Sequence, residues 1–257
     1  MEYKKERISM ARRKRIKSKT KIYHVIIRGI NKQTIFYDED DYYSFLDVLR
    51  HYHEACDLEV YAYCLMHNHV HLLVKENETP VSEVIRRIEI KFIHSYNKKY
   101  QRTGGLFENR YKSEAVENTS YLLTAFRYIH QNPLHAGIET AVGDYPWSSF
   151  GNYLKQKKDF LSLDVMNSYF STPQELITFL KEDSKDQCME DNNISSLNDQ
   201  EALQLILNVS HCSSISEFKK LPFITQCEYL SQLLYSSITI HQASRITGIP
   251  YKFIMQL

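Results

Sequence analysis

No two of the five cysteines stand in a Cys-x-x-Cys pair. Cys56, Cys64, Cys188, Cys212 and Cys227 are scattered along the chain, which argues against a zinc ribbon or finger and against a disulfide framework. No apolar run approaches the roughly 20 residues of a membrane span, and no signal peptide opens the chain, so a cytoplasmic protein without a membrane partner is expected. A Gly-x-x-x-x-Gly-Lys loop is missing, and with it any sign of a nucleotide cofactor. Net charge is small too, at +1 over 257 residues, but it is unevenly spread. Residues 1–21 form a basic arm holding Lys4, Lys5, Arg7, Arg12, Arg13, Lys14, Arg15, Lys17, Lys19 and Lys21 against only Glu2 and Glu6. An arm of this kind is an electrostatic footprint for nucleic acid, although solvated basic tails are common.

The chemistry is concentrated in Met66-His67-Asn68-His69-Val70-His71-Leu72-Leu73-Val74. At a strand's period of two, His69, His71 and Leu73 share one face and Val70, Leu72 and Val74 the other. So many β-branched and apolar residues predict a central strand covered on both faces. Two imidazoles side by side on such a strand are costly to bury unless something uses them. His-x-His is a natural two-point clamp for a divalent metal. The competing reading is one satisfied core histidine beside one half-exposed one.

Taken in order, Ile22 to Arg28 reads as a strand ended by Gly29, and Asp38 to His53 as an amphipathic helix with acidic start signals. Leu58 to Met66 is a second strand, Asn68 a hairpin turn residue, and the His69 strand follows at once, antiparallel. Pro80 opens a long helix with core face Val84, Ile85, Ile88, Phe92 and Tyr96. Arg102-Thr103-Gly104-Gly105 breaks it, and an extended or irregular segment carries Phe107, Arg110, Tyr111 and Lys112. Asn118-Thr119-Ser120 caps a helix from Tyr121 to about Gln131, which Pro133 is expected to stop. The order strand–helix–strand–strand–helix–strand is the split βαβ plan. It predicts an α+β class with a ferredoxin-like antiparallel sheet and helices on one face, closed by the aromatic segment Tyr145 to Phe150. The domain is expected to span 22–155. A helical connector and polar linker (156–197) and a smaller all-helical C-terminal domain (198–257) follow. In the latter, Thr239 to Pro250 has helix–turn–helix form; a small bundle with no DNA contact is the alternative.

A metal on two histidines needs a third ligand. Tyr128 and Asn132 are four apart, so they lie one turn above the other on a helix, beside the apolar stripe Leu122, Ala125, Phe126 and Ile129. An amide oxygen is an acceptable ligand for Mg²⁺ or Mn²⁺. A tyrosine hydroxyl beside such an ion is a candidate nucleophile, but at a solution pKa of about 10 it needs a cation or a base nearby. In a chain with 19 tyrosines, a packing role for Tyr128 is the competing reading.

Five blocks in order decide between these readings: Met66 to Leu73, Arg102-Thr103-Gly104-Gly105-Leu106-Phe107, Arg110-Tyr111-Lys112-Ser113, Arg127-Tyr128-Ile129-His130-Gln131-Asn132-Pro133, and Tyr145-Pro146-Trp147-Ser148-Ser149. Together they resemble the single-tyrosine HUH transposases, in the branch called repetitive-extragenic-palindrome-associated tyrosine transposases. His69-Val70-His71 is the His-hydrophobic-His motif, and the resemblance covers roughly residues 10–155. It implies that His69 and His71 are metal ligands, Asn132 the third ligand and Tyr128 the nucleophile. It also implies a homodimer working on single-stranded DNA hairpins. In one departure, His67 stands where the family usually has Pro. It shares parity with His69 and His71 and an extra ligand is the alternative, but as the last residue before a turn it is expected to be solvated. His130 and His135, flanking the tyrosine helix, are expected at the surface, help with proton transfer being the alternative.

The reaction so implied is in-line attack on a DNA phosphodiester, through a 5′-phosphotyrosine, by a metal-dependent nuclease and strand transferase. Arg102, Arg110, Lys112 and the arm, Arg12 to Arg15 included, would neutralise phosphates, and Phe107 or Tyr111 would stack on an unpaired base. Plain surface and packing roles for these residues are the equal alternative. A His-x-His hydrolase is a poor rival, because Leu72-Leu73-Val74 follow where further ligands would be needed. A DNA-hairpin-binding protein that has lost the reaction is the second rival, with a housekeeping or regulatory role.

Overall fold

A computed structural model describes residues 16–108, 110–182, 188, 199–234, 238 and 240–254. β1 (Ile22–Arg28), β2 (Glu59–Met66), β3 (His69–Lys75) and β4 (Lys112–Ala115) form one antiparallel sheet in the order β2-β3-β1-β4. α1 (Glu39–Cys56) joins β1 to β2, and α2 (Val81–Lys99) joins β3 to β4. This is the split βαβ plan expected from the sequence. His67 and Asn68 make the turn between β2 and β3, which pair from Met66 opposite His69.

Alternation sorts the sheet into two faces. Val25, Ile27, Val70, Leu72 and Val74 point one way and are fully buried, while His24, Ile26, Arg28, His69, His71 and Leu73 point the other. α1 and α2 pack together on the first face. There Phe45 of α1 meets Phe92 of α2 with ring centroids 5.2 Å apart, and Phe36 packs against both. The histidine face is covered by α3 (Thr119–His135), whose Tyr128 ring meets His24 and His71 edge-on. The two crossover helices therefore share a face, and the third helix makes a layer on the other. Pro133 does not stop α3, which continues to His135. Proline removes one hydrogen bond, but in the last turn the chain still closes through Ala136 N–H to Asn132 O at 2.9 Å.

Helix starts follow local chemistry. Asp38 Oδ1 accepts Asp41 N–H at 3.2 Å, and the Asp41 carboxylate reaches back to Asp38 N–H, a reciprocal capping box. Asp38→Ala is expected to destabilise the protein by about 1 kcal/mol. Thermal unfolding would show this as a drop of about 2–4 °C.

The edge of β2 is closed by the aromatic segment. Leu65 N–H donates to Trp147 O (2.9 Å), Ser149 N–H to Tyr63 O (3.0 Å), and Trp147 stacks on Tyr42 with centroids 4.3 Å apart. Covering an edge strand in this way blocks pairing with another chain. α4 (Phe150–Leu154), α5 (Leu163–Asn167) and α6 (Pro173–Lys181) add Phe150, Leu163, Met166, Leu176 and Leu180 to the core of the sheet. The polar stretch 183–187 and 189–198 lies outside the described residues.

A second core joins α7 (Asp199–Ser210), α8 (Ile215–Phe218), α9 (Phe223–Leu233), α10 (Ile240–Thr247) and α11 (Tyr251–Ile254), around Ala202, Ile206, Phe218, Leu230, Ala243 and Ile254. Between α10 and α11, Gly248 takes φ +80°, a left-handed turn that suits glycine. The proposed helix–turn–helix falls here, with Thr239 outside the described residues. Its Arg245 is engaged by Asp199 (2.7 and 2.5 Å). Among the described residues no helix is long and apolar enough to cross a membrane.

Candidate active site

Strand register assembles the first half of the site. Arg28 pairs with His69, Ile26 with both His71 and Lys112, and His24 with Leu73 and Glu114. Paired residues share a face, so His24, Arg28, His69, His71, Lys112 and Glu114 stand on one side of the sheet. His69 and His71 have ring centroids 4.9 Å apart. Each is held at Nδ1: His69 by Asn68 Oδ1 at 2.6 Å and His71 by His24 Nε2 at 3.0 Å. The His24–His71 contact is diagonal across the strands, with the rings stacked at 29°.

α3 supplies the second half. Leu122, Ala125, Phe126 and Ile129 are buried and seat the helix, which leaves Tyr128 and Asn132 on the flank facing the histidines. The Tyr128 ring lies 5.8 Å from His71 and 6.0 Å from His24, centroid to centroid. Asn132 Nδ2 donates to Tyr128 O at 3.0 Å, and the Asn132 side chain also hydrogen-bonds His69. Tyr121 O–H donates to Glu114 and ties the start of α3 to β4. All of these residues come from one chain.

Burial sets the electrostatics. His24 is pushed down to about 4 and His69 to about 3, chiefly by desolvation, with Arg28 and His67 adding to the effect at His69. His71 is held well below its ordinary range by burial and by His69, His24 and Arg28. All three are neutral at neutral pH, the state a metal ligand requires. Desolvation also lowers Arg28, against the opposing pull of Glu108 and Tyr128. Arg28 thus lies within electrostatic reach of the Tyr128 hydroxyl. The donor set fits a hard divalent cation: two neutral imidazoles oriented through Nδ1, and one amide. Among the described residues no group of three or more His, Cys, Asp or Glu side chains could hold a metal; the Asn132 side chain, hydrogen-bonded to His69, is the further donor at this place.

The remaining expected contacts divide. Arg12, Arg13, Lys14 and Arg15 lie outside the described residues. Lys112 is exposed in the same row as His71, and Arg110 is exposed two residues before it. Arg102 packs over the Tyr96 ring at 5.5 Å and donates to Gly105 O, away from the histidines. Phe107 and Tyr111 are buried, Phe107 stacking on Phe92 at 6.0 Å, which favours packing over the base-stacking role for both. His67 is half-buried rather than solvated, its carbonyl accepting Ile35 and Phe36 N–H. His130 is corrected from surface to core: Nδ1–H donates to Phe126 O, and Nε2 sits 2.8 Å from Ser149 Oγ. His135 is exposed as expected, its ring 6.2 Å from Tyr128. His24, Arg28 and Asn68 were missed by the sequence reading. The parity of His24 and Arg28 on β1 was the available signal, but without register it does not say which strand they face.

This fold and the Tyr128 ring over His71 agree with what the resemblance to the single-tyrosine HUH transposases implies. Residues 17–132 match the family described as IS200-like transposases. A curated relative from Haemophilus influenzae (strain Rd), named for the REP-associated tyrosine transposases, is 27% identical over 118 residues, 40% of this chain and 67% of that one. A solved REP-associated tyrosine transposase bound to a REP hairpin superposes with TM-score 0.55 at 18% identity, over 72% of this chain and all of that one. At that identity the likeness shows the shared fold.

Proposed function

We propose that the chain is an endonuclease and strand transferase that cuts and rejoins single-stranded DNA at hairpins, with Tyr128 as nucleophile. The observation that carries this reading is the seating of Tyr128 and Asn132 over His69 and His71. His69, His71 and Asn132 would hold Mg²⁺ or Mn²⁺, which when bound supplies polarisation of the scissile phosphate. The chain's own groups do the rest. The Tyr128 phenolate oxygen, within electrostatic reach of Arg28, bonds to phosphorus as the bond to the 3′ oxygen breaks. The departing oxygen takes a proton and leaves as a free 3′-hydroxyl, with the 5′-phosphate on Tyr128. Attack on that phosphotyrosine by another 3′-hydroxyl rejoins a strand and frees the tyrosine. The bond energy is conserved in the covalent link, so the reaction runs without a nucleotide cofactor.

The family match, and a solved relative of the same fold bound to a REP hairpin, support a DNA-hairpin substrate. Assembly as a homodimer is part of the proposal. Labelled single-stranded hairpins from the flanks of the gene, incubated with protein and Mg²⁺ or Mn²⁺, are expected to give a covalent band on a denaturing gel. Hairpins that shift on a native gel yet form no adduct and no cut with either cation would favour the binding-only alternative.

Lys112, exposed beside the site, is proposed to meet a phosphate. Lys112→Ala is expected to weaken hairpin binding evenly across sequences and to lower the slope of log affinity against log salt by about 0.7 to 1. An unchanged slope would remove Lys112 from the interface.

A further inference from the structure

We infer that His24 is a positioning residue that accepts a hydrogen bond from His71 and so presents the His71 Nε2 lone pair for metal binding. The inference rests on the metal site proposed above. A neutral imidazole carries one proton, and a ring that binds metal through Nε2 must carry it on Nδ1. For His69 the partner settles this, because Asn68 Oδ1, 2.6 Å from Nδ1, can only accept. For His71 the partner is another imidazole, His24 Nε2 at 3.0 Å, which can accept or donate. The two tautomers are therefore coupled. With the shared proton on His71 Nδ1, His71 is ready to ligate and His24 carries its own proton on Nδ1. With the shared proton on His24 Nε2, His71 is protonated at Nε2 and closed to metal.

Two further observations point the same way. His24 is completely buried on β1, and among the described residues its Nδ1 has no hydrogen-bond partner. Packing alone does not explain a polar ring left half-satisfied in the core, since an apolar side chain of like volume would avoid the penalty. The neighbouring Ile26, directly opposite His71, shows that this face accepts one. His24 also reaches His71 with its ring stacked at 29° and faces Tyr128 edge-on, so it touches both halves of the site without lying between them. A histidine ligand is generally oriented by the partner of its other nitrogen, and losing that partner typically costs about 10- to 100-fold in metal affinity.

The test is a Mn²⁺ titration, followed by the electron paramagnetic resonance signal of the free ion, on the wild type, His24→Phe, His24→Gln and His69→Ala, with folding checked by circular dichroism. His24→Phe is expected to bind Mn²⁺ about 10- to 100-fold more weakly. His24→Gln, whose Oε1 can accept from Nδ1–H, is expected to restore most of the loss. In the Mg²⁺-loaded wild type, two-bond ¹H–¹⁵N correlations are expected to show His71 and His24 both protonated at Nδ1. That measurement stands even if His24→Phe does not fold. Wild-type affinity in His24→Phe, failure of His24→Gln to rescue, or His71 protonated at Nε2 in the loaded protein would each overturn the inference while leaving the metal site intact. Unchanged affinity in His69→Ala, or no Mn²⁺ binding by the wild type, would instead overturn the metal site, and the inference would fall with it.

Discussion

Tyr128→Phe is expected to bind DNA hairpins as the wild type does and to form no covalent adduct. The substitution removes one oxygen. It keeps the ring that lies edge-on to His24 and His71, and the backbone carbonyl that Asn132 Nδ2 engages is untouched. The apolar stripe that seats α3 is also unchanged, so fold and binding surface should survive. Removing a nucleophile from a concerted site costs more than any positioning change, and a fall in cleavage rate of at least about 10⁴-fold is expected. His69→Ala should likewise abolish the adduct, because it deletes a proposed ligand and the partner of Asn132. Denaturing gels read both variants. A band that persists in Tyr128→Phe would mean that another of the 19 tyrosines attacks, and the site assignment would be wrong.

Acid is expected to unfold the protein well above the pH at which carboxylates titrate. His24 and His130 are buried and neutral, each pushed down by desolvation to about 4 from an ordinary value of 6.5. A histidine whose folded pKa is depressed binds its proton more readily when unfolded. Stability therefore rises with pH through this range, is fully present above 6.5, and is lost as pH falls from 6.5 towards 4. At pH 5 each such group weakens the fold by about 2 kcal/mol relative to pH 8. In the unfolded chain the cluster histidines protonate independently, while in the fold one proton discourages the next. His24, His69 and His130 therefore each contribute and their effects add, with His71 acting in the same direction. The expected difference in unfolding free energy between pH 8 and pH 5 is then about 6 kcal/mol or more, a large share of a typical total stability. Urea unfolding at the two pH values measures it. In His130→Leu, although the variant is less stable throughout, the pH-dependent part should fall by about 2 kcal/mol. Equal stability at pH 5 and pH 8 would show that these histidines are not buried neutral groups.

Particular elements show why some of the structure was readable in the chain. β1 was expected at Ile22 to Arg28 and is found there, because a β-branched run that ends in glycine carries its own boundary. The turn at Asn68 and the start of α3 at Asn118 were legible for the same reason: a hairpin turn and an N-cap are decided by a few adjacent residues. Pro133 shows the limit of such rules. Proline disfavours helix locally, yet packing of Leu122, Ala125, Phe126 and Ile129 and the closing bond at Ala136 carry α3 to His135. His130 was misread because helical phase alone does not show that the Ser149 segment closes over that side of α3. Phe107 and Tyr111 left base contact and packing open, because aromatic residues near basic ones look alike whether they face a base or the core; the Phe92 ring against Phe107 and the burial of Tyr111 favour packing.

The amino-acid order by itself determined what depends on near neighbours. It set the period-two alternation that puts His69 and His71 on one face, the four-residue spacing that stacks Tyr128 under Asn132, the element order, and the ordered motifs by which the family is recognised. Tertiary structure alone decided what depends on distant partners. The β1–β3 register places Arg28 opposite His69 and brings His24 within 3.0 Å of His71, across 47 residues of chain. The covering of the histidine face by α3 then turns three separate segments into one site. Strand and helix periods are properties of the backbone and can be read locally. Register and layer are chosen by which distant apolar surfaces bury best together, and no short stretch of sequence contains that choice.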